Sequence, residues 1–120
     1  MPRTVILGAA RTPFARLLGA LAPLTAVELG TAAARAGIDR SGLEAADVDY
    51  CVFGTVVQAG QGQIPSRQVS IGAGLPEDVG SETVNKVCAS GLRAIAVADA
   101  VVRLGDHRVV LAGGMESMTN

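Results

Sequence analysis

The sequence predicts an α/β layered domain with a mixed, largely parallel sheet and a central buried helix. Three observations predict it. Short β-branched apolar runs alternate with segments of helical character along all 120 residues, the pattern of strand–helix–strand units. The helical segments carry capping boxes or prolines at their starts and glycines at their ends. One of them, "ASGLRAIAVADAVVRL" (89–104), is small and apolar nearly all round, with Ser90, Arg93, Asp99 and Arg103 as the main polar interruptions. A helix lying on a surface has one apolar stripe, whereas this one reads as packed between layers.

The elements follow in order. "TVILGAA" (4–10) is a short apolar run suited to a strand covered on both faces. "RTPFARLLGALAPL" is a loop punctuated by Pro13, Gly19 and Pro23. Thr25 and Glu28 have capping-box spacing at the head of "TAVELGTAAARAGI", a helix that Gly37 is expected to stop. Ser41 and Glu44 repeat that spacing and predict a short helical turn. "DYCVFGTVVQ" (49–58) is the next strand, and "AGQGQ" a loop. "IPSRQVSIGAGLP" fits a helix with Pro65 in its first turn, Gly72 or Gly74 near its end and Pro76 beyond. The β-prone "ETVNKV" (82–87) precedes Cys88 and the apolar helix, and "HRVVLAGG" (107–114) is a further strand. No internal repeat, linker or low-complexity segment interrupts this single unit, 1–120.

This order already carries geometry. A helix of roughly 16 residues after Cys88 is about 24 Å long, and the strand that follows returns the chain across a similar span. The return places Gly113–Glu116 on the same rim as Cys88 and leaves His107 at the opposite end. Sites in such folds gather at the C-terminal ends of strands.

Composition excludes several classes. Lys plus Arg number 10 against 11 Asp plus Glu, so no charge excess points to nucleic acid or an anionic membrane. With no Trp, one Tyr and two Phe, aromatic platforms for single-stranded nucleic acid are lacking. The N-terminal apolar run is too short for a membrane span and has Arg11 close behind it, unlike a signal peptide. Two cysteines without C-x-x-C spacing and one His do not make a structural zinc site, so no metal is expected. A reducing, cytoplasmic setting is the expectation.

Position leaves two readings of Cys88 open: a buried small hydrophobe, or a reactive thiol where the N–H groups and dipole of a helix start favour a thiolate. Cys51, mid-strand in "YCVFG", reads as structural. His107 is too far away to form a dyad with Cys88 and reads as solvated. "GQGQIP" and "GAGLPE" do not complete a phosphate-binding G-x-G-x-x-G and are turn chemistry. Asp47 and Asp49 precede a strand and belong to a solvated edge. Glu116, on the Cys88 rim, is either a site residue or a local cap.

Taken together, "VILGAARTPFA", "GTVVQAGQGQIPSRQ", "NKVCASGL" and "AGGMESM" resemble the thiolases, acyl-CoA C-acyltransferases that form or cleave a β-ketoacyl thioester. The resemblance covers essentially the whole chain, in order and in register. It implies a layered thiolase-like fold, of which this chain is the N-terminal half, and it makes Cys88 the nucleophile that takes the acyl group. The chemistry fits, because a thiolate exchanges readily with a thioester and a backbone N–H at Cys88 can serve an oxyanion hole. Gly91 and the small residues after it would allow close helix packing, with Ser90 as a cap. Coenzyme A thioesters are then substrates and partners and no cofactor is needed; the complete protein is expected to be a homodimer or homotetramer. The family's second half carries a histidine in G-H-P and a cysteine in C-x-G-G-G, neither of which occurs here. The resemblance therefore implies a fragment, inactive by itself. Other readings are a related condensing enzyme, such as a ketoacyl synthase or hydroxymethylglutaryl-CoA synthase, or a noncatalytic half that pairs with another chain. "GGMESM" and "AARTPF" favour thiolase over the related enzymes.

Overall fold

In the computed structural model, which describes residues 3–120, three parallel strands form one sheet in the order β2-β1-β3. The elements are α1 (Ala26–Ser41), a single 3₁₀ turn (Ala45–Asp47), β1 (Tyr50–Gly54), α2 (Pro65–Gly72), β2 (Gly80–Val84), α3 (Ser90–Arg103) and β3 (Val110–Gly114). The central strand steps sideways to β2 through α2, and the chain then crosses back over it through α3 to reach β3. The sideways direction reverses between the two crossovers, so crossovers of one hand put α2 and α3 on opposite faces.

Side-chain alternation along β1 builds both cores. Cys51 and Phe53 point into a cluster with Ala26, Ala34 and Ile38 of α1, with Val69 of α2 and with Ala73 just after it. Val52 points the other way, onto Ala94 and Ala98 of α3. The result is three layers, α1 and α2 over the sheet over α3.

Helix α1 begins as its sequence dictates. Thr25 Oγ1 accepts the Glu28 N–H at 3.1 Å, and Glu28 Oε2 accepts the Thr25 N–H at 2.7 Å. It does not stop at Gly37, however. It runs on to Ser41 and closes at Gly42, which sits at φ 77°. A glycine inside a helix costs about 1 kcal/mol, and burial of Ile38 in the core offsets it. The close approach beside Gly37 depends on Gly8, where a Cβ would stand 2.5 Å from the Gly37 carbonyl oxygen. The expected Ser41–Glu44 box is displaced for the same reason. Ser41 ends α1 with its hydroxyl on the Ile38 carbonyl, and Asp47 accepts the Glu44 N–H at 2.9 Å to start the 3₁₀ turn.

Residues 4–10 form no strand, which corrects the sequence expectation. A strand needs a neighbouring edge with free N–H and C=O groups, and this run pairs with none among the described residues. Its anchor is the end of α1, where Arg40 donates to the Ala9 carbonyl at 3.0 Å. Val5, Ile6 and Leu7 are left exposed. The other strands are shorter than their apolar runs: β1 ends at Gly54, where Thr55–Gln58 turn away, and β2 ends before Asn85.

Among the described residues, helix α3 is covered on one face only. Ser90, Ala94 and Ala98 are buried, while Leu92 and Ile95 are exposed. The small residues on the inner face set how closely the helix approaches. Gly91 meets Gly114 backbone to backbone, and a Cβ on Gly54 would collide with the backbone of Ser90.

Candidate active site

Parallel register brings all three strand ends to one rim, with Gly54 opposite both Val84 and Gly114. Three loops leave that rim. Thr55–Val57 follows β1, Asn85–Ala89 follows β2 and carries Cys88, and Met115–Ser117 follows β3. Cys88 and Glu116 thus share one edge of the sheet, as chain order predicts.

Cys88 is exposed and free. It lies two residues ahead of the first residue of α3, in a turn rather than in the helix itself. The residue before it, Val87, has φ 51°. A β-branched side chain in that region is a backbone outlier, which costs on the order of 1–3 kcal/mol. Side chains brace the turn. Asn85 Oδ1 accepts the Val87 N–H at 2.9 Å, an Asx turn. Ser90 Oγ accepts the Lys86 N–H at 2.9 Å and donates to the Val87 carbonyl at 2.6 Å. Ser90 is therefore not the cap of α3; that position is Ala89, which makes no side-chain cap bond.

Glu116 takes the local role of its two readings. Its carboxylate accepts the Thr55 hydroxyl at 2.8 Å and the Val56 N–H at 3.0 Å, tying the loop after β1 to the loop after β3. Asn85 Nδ2 reaches the Val56 carbonyl at 3.4 Å from the third loop. The signals for Asn85 and Ser90 were present in sequence, as an Asx-turn residue before and a serine after the cysteine. Their joint action on Val87 required the turn itself.

Cys51 has the opposite environment. It is fully buried, its Sγ faces the Ser66 carbonyl at 3.7 Å, and burial pushes the thiol up from 9.0 to about 12. Between those values the unfolded chain has lost a proton that the folded chain keeps. This contribution to stability is thus full below pH 9.0 and is lost as pH rises toward about 12. The loss is up to about 1.4 kcal/mol per pH unit. Urea unfolding at pH 8 and pH 10.5 should show a smaller alkaline drop for Cys51→Ala than for the parent; equal drops would sink the assignment.

His107 sits at the far end of the sheet. Its ring stacks on Tyr50 with centroids 4.3 Å apart, and its Nδ1 lies 3.9 Å from Asp49 Oδ1. Asp49 also accepts the Arg108 and Val109 N–H groups, starting β3. Neither Asp47 nor Asp49 reaches the Cys88 rim. His107→Ala in the full-length protein should keep turnover within a few-fold of the parent while removing about 1 kcal/mol of stacking. A loss of roughly 10²-fold, the scale of a missing general base, would overturn this placement. "GQGQIP" and "GAGLPE" are turns, with Gly62 and Gly74 at φ 83° and 89°.

Two hollows of about 240 and 170 Å³ lie beside α1, and Cys88 lines neither. Among the described residues no cluster of His, Cys, Asp or Glu could hold a metal ion, and no helix is long and apolar enough to cross a membrane.

The arrangement is an exposed thiol on a braced strand-to-helix turn, and comparison with known proteins finds the same chain path elsewhere. Residues 4–120 match the family model of the thiolase N-terminal domain. The chain belongs to the thiolase family. A crystal structure of a thiolase from Ascaris suum in complex with coenzyme A superposes with a TM-score of 0.94 at 39% identity, over 96% of this chain and 30% of that one. Acetyl-CoA acetyltransferase from Yarrowia lipolytica is 49% identical over 96% of this chain and 29% of its own length. Acetyl-CoA acetyltransferase 2 from Arabidopsis thaliana is 49% identical over 99% and 30%. The mitochondrial enzyme of Mus musculus is 47% identical over 97% and 27%. This thiolase chain thus spans less than a third of the relatives it matches.

Proposed function

We propose that this chain is the N-terminal part of an acetyl-CoA C-acetyltransferase in which Cys88 carries the acyl group. The observation that supports it most is the exposed thiol of Cys88 on a braced turn at the strand ends, in a chain about half identical to acetyl-CoA acetyltransferases. The Cys88 thiolate attacks the thioester carbonyl of acyl-CoA. The carbonyl π electrons move to oxygen, and backbone N–H groups near the α3 start stabilise that charge. Collapse of the tetrahedral adduct breaks the bond to the coenzyme A sulfur, which leaves as a thiolate and takes up a proton. The acyl group then stays on Cys88 Sγ until the enolate of a second acetyl-CoA, or the thiolate of coenzyme A in the cleavage direction, receives it. Proton transfer for the second step falls to the histidine and cysteine that the resemblance places in the second half, since His107 is at the wrong end of the sheet.

Coenzyme A is the proposed partner molecule, in keeping with the ligand of the Ascaris suum structure. A homodimer or homotetramer is the proposed assembly, and the cytoplasm the proposed compartment; one relative, from Gibberella zeae, is named as cytosolic.

Incubation of the full-length protein with acetyl-CoA, followed by peptide mass spectrometry, tests the reading. The acetyl group is expected on Cys88. Finding it on Cys51 or on neither cysteine would overturn the proposal, and the latter outcome would favour a noncatalytic half.

A further inference from the structure

We propose that Ser90, together with Asn85, is a positioning residue that aims the Cys88 thiol by holding Val87 at positive φ; this rests on Cys88 being the nucleophile. Val87 does not choose its conformation. The residue is 64% exposed, so burial does not compensate for the strain at φ 51°. What holds it is hydrogen bonding on both sides. Its N–H is taken by Asn85 Oδ1, its carbonyl accepts the Ser90 hydroxyl at 2.6 Å and the Ser90 backbone N–H at 3.1 Å, and the preceding N–H, of Lys86, returns to that same hydroxyl. The Ser90 oxygen thus holds the 85–86 and 87–88 peptide units, on either side of the 86–87 unit that Asn85 holds.

Ser90 can do this because it is itself fixed. It is 4% exposed. A Cβ at Gly54 would stand 2.4 Å from the Ser90 backbone, so the helix start lies directly on the end of the central strand. The anchor therefore runs from the sheet through Gly54 to Ser90 and then back to Val87. Cys88 comes next in the chain, and rotation at Val87 would swing its Cα–Cβ bond. Released from the clamp, a valine returns to negative φ, and the thiol leaves its orientation. Glycine has no such preference. That contrast separates positioning from general packing.

The test uses the full-length protein and reads the rate of acetyl transfer to Cys88 by rapid quench and mass spectrometry. Ser90→Ala should slow transfer roughly 10- to 100-fold, the scale of a displaced reacting group, with half-saturation by acetyl-CoA nearly unchanged. Adding Val87→Gly to Ser90→Ala should recover most of the lost rate. Asn85→Ala, at an exposed position that does not threaten the fold, should slow transfer in the same direction and be rescued in the same way. Continued resistance of Cys51 to alkylation reports that each variant is folded. Wild-type rates in both single variants would overturn the proposal, and so would losses that Val87→Gly does not restore. If the parent protein takes no acetyl group on Cys88, the functional reading fails instead. The clamp is then read from iodoacetamide alkylation of Cys88, where Ser90→Ala should change the rate and Val87→Gly should reverse the change; an unchanged rate would overturn it.

Discussion

Cys88→Ala in the full-length protein should lower turnover by a factor on the order of 10⁴ or more, the scale of losing a covalent nucleophile, with little change in unfolding midpoint. The side chain is exposed, so its removal leaves no cavity in either core. Cys51→Ala should give the opposite signature. That side chain is fully buried against α2, and truncation should cost about 1–2 kcal/mol while the folded fraction keeps its activity. Steady-state rates and urea unfolding of the two variants, measured side by side, check both statements. Near-normal turnover in Cys88→Ala would end the acyl-cysteine mechanism for this protein.

The 120-residue chain expressed alone should associate or stay loosely packed, and should have no thiolase turnover. Its apolar surface is the reason. Leu92 and Ile95 on the outer face of α3, and Ile6, Phe14 and Leu18 in the N-terminal arm, are all exposed. At about 25 cal/mol per Å², a few hundred Å² of such surface is worth several kcal/mol, comparable to the whole stability of a small domain. Light scattering should give a mass above the 12.1 kDa of one chain, and thermal unfolding should be broad. A monomer with a sharp transition would refute the structural claim, and measurable acetoacetyl-CoA cleavage the catalytic one. Co-expression with a thiolase second half should restore a defined mass.

Both expectations depend on how α3 sits, and its sequence is informative only in part. Small residues at Ser90, Gly91, Ala94 and Ala98 mark the face that meets the sheet. Leu92 and Ile95, equally apolar, mark a face that none of the described residues covers. Periodicity cannot tell these faces apart, because it registers hydrophobicity and not which neighbour is present.

Local chemistry was legible at several starts and turns that need only near neighbours, though not at Ser41–Glu44 or Ser90. The Thr25–Glu28 box, Pro65 at the head of α2 and the turn glycines act within a few residues. So did the placement of Cys88 and Glu116 on one rim and His107 on the other, since chain direction alone fixes the ends of a strand–helix–strand unit. Legibility failed where a partner distant in sequence decides. Gly37 does not end α1 because Ile38 finds a core, and residues 4–10 are not a strand because a strand requires an edge.

The sequence by itself determined the α/β class, the order of the elements from α1 onward, the family and the identity of the cysteine to suspect. Each of these rests on pattern and chain order, which a linear string contains. Only the tertiary structure decided that Cys51 is sealed while Cys88 is open, that Glu116 braces loops, and that Val87 is held at φ 51° by Asn85 and Ser90. Burial, hydrogen-bond closure and backbone strain are properties of groups brought together in space, and they exist only once the three strand ends have met.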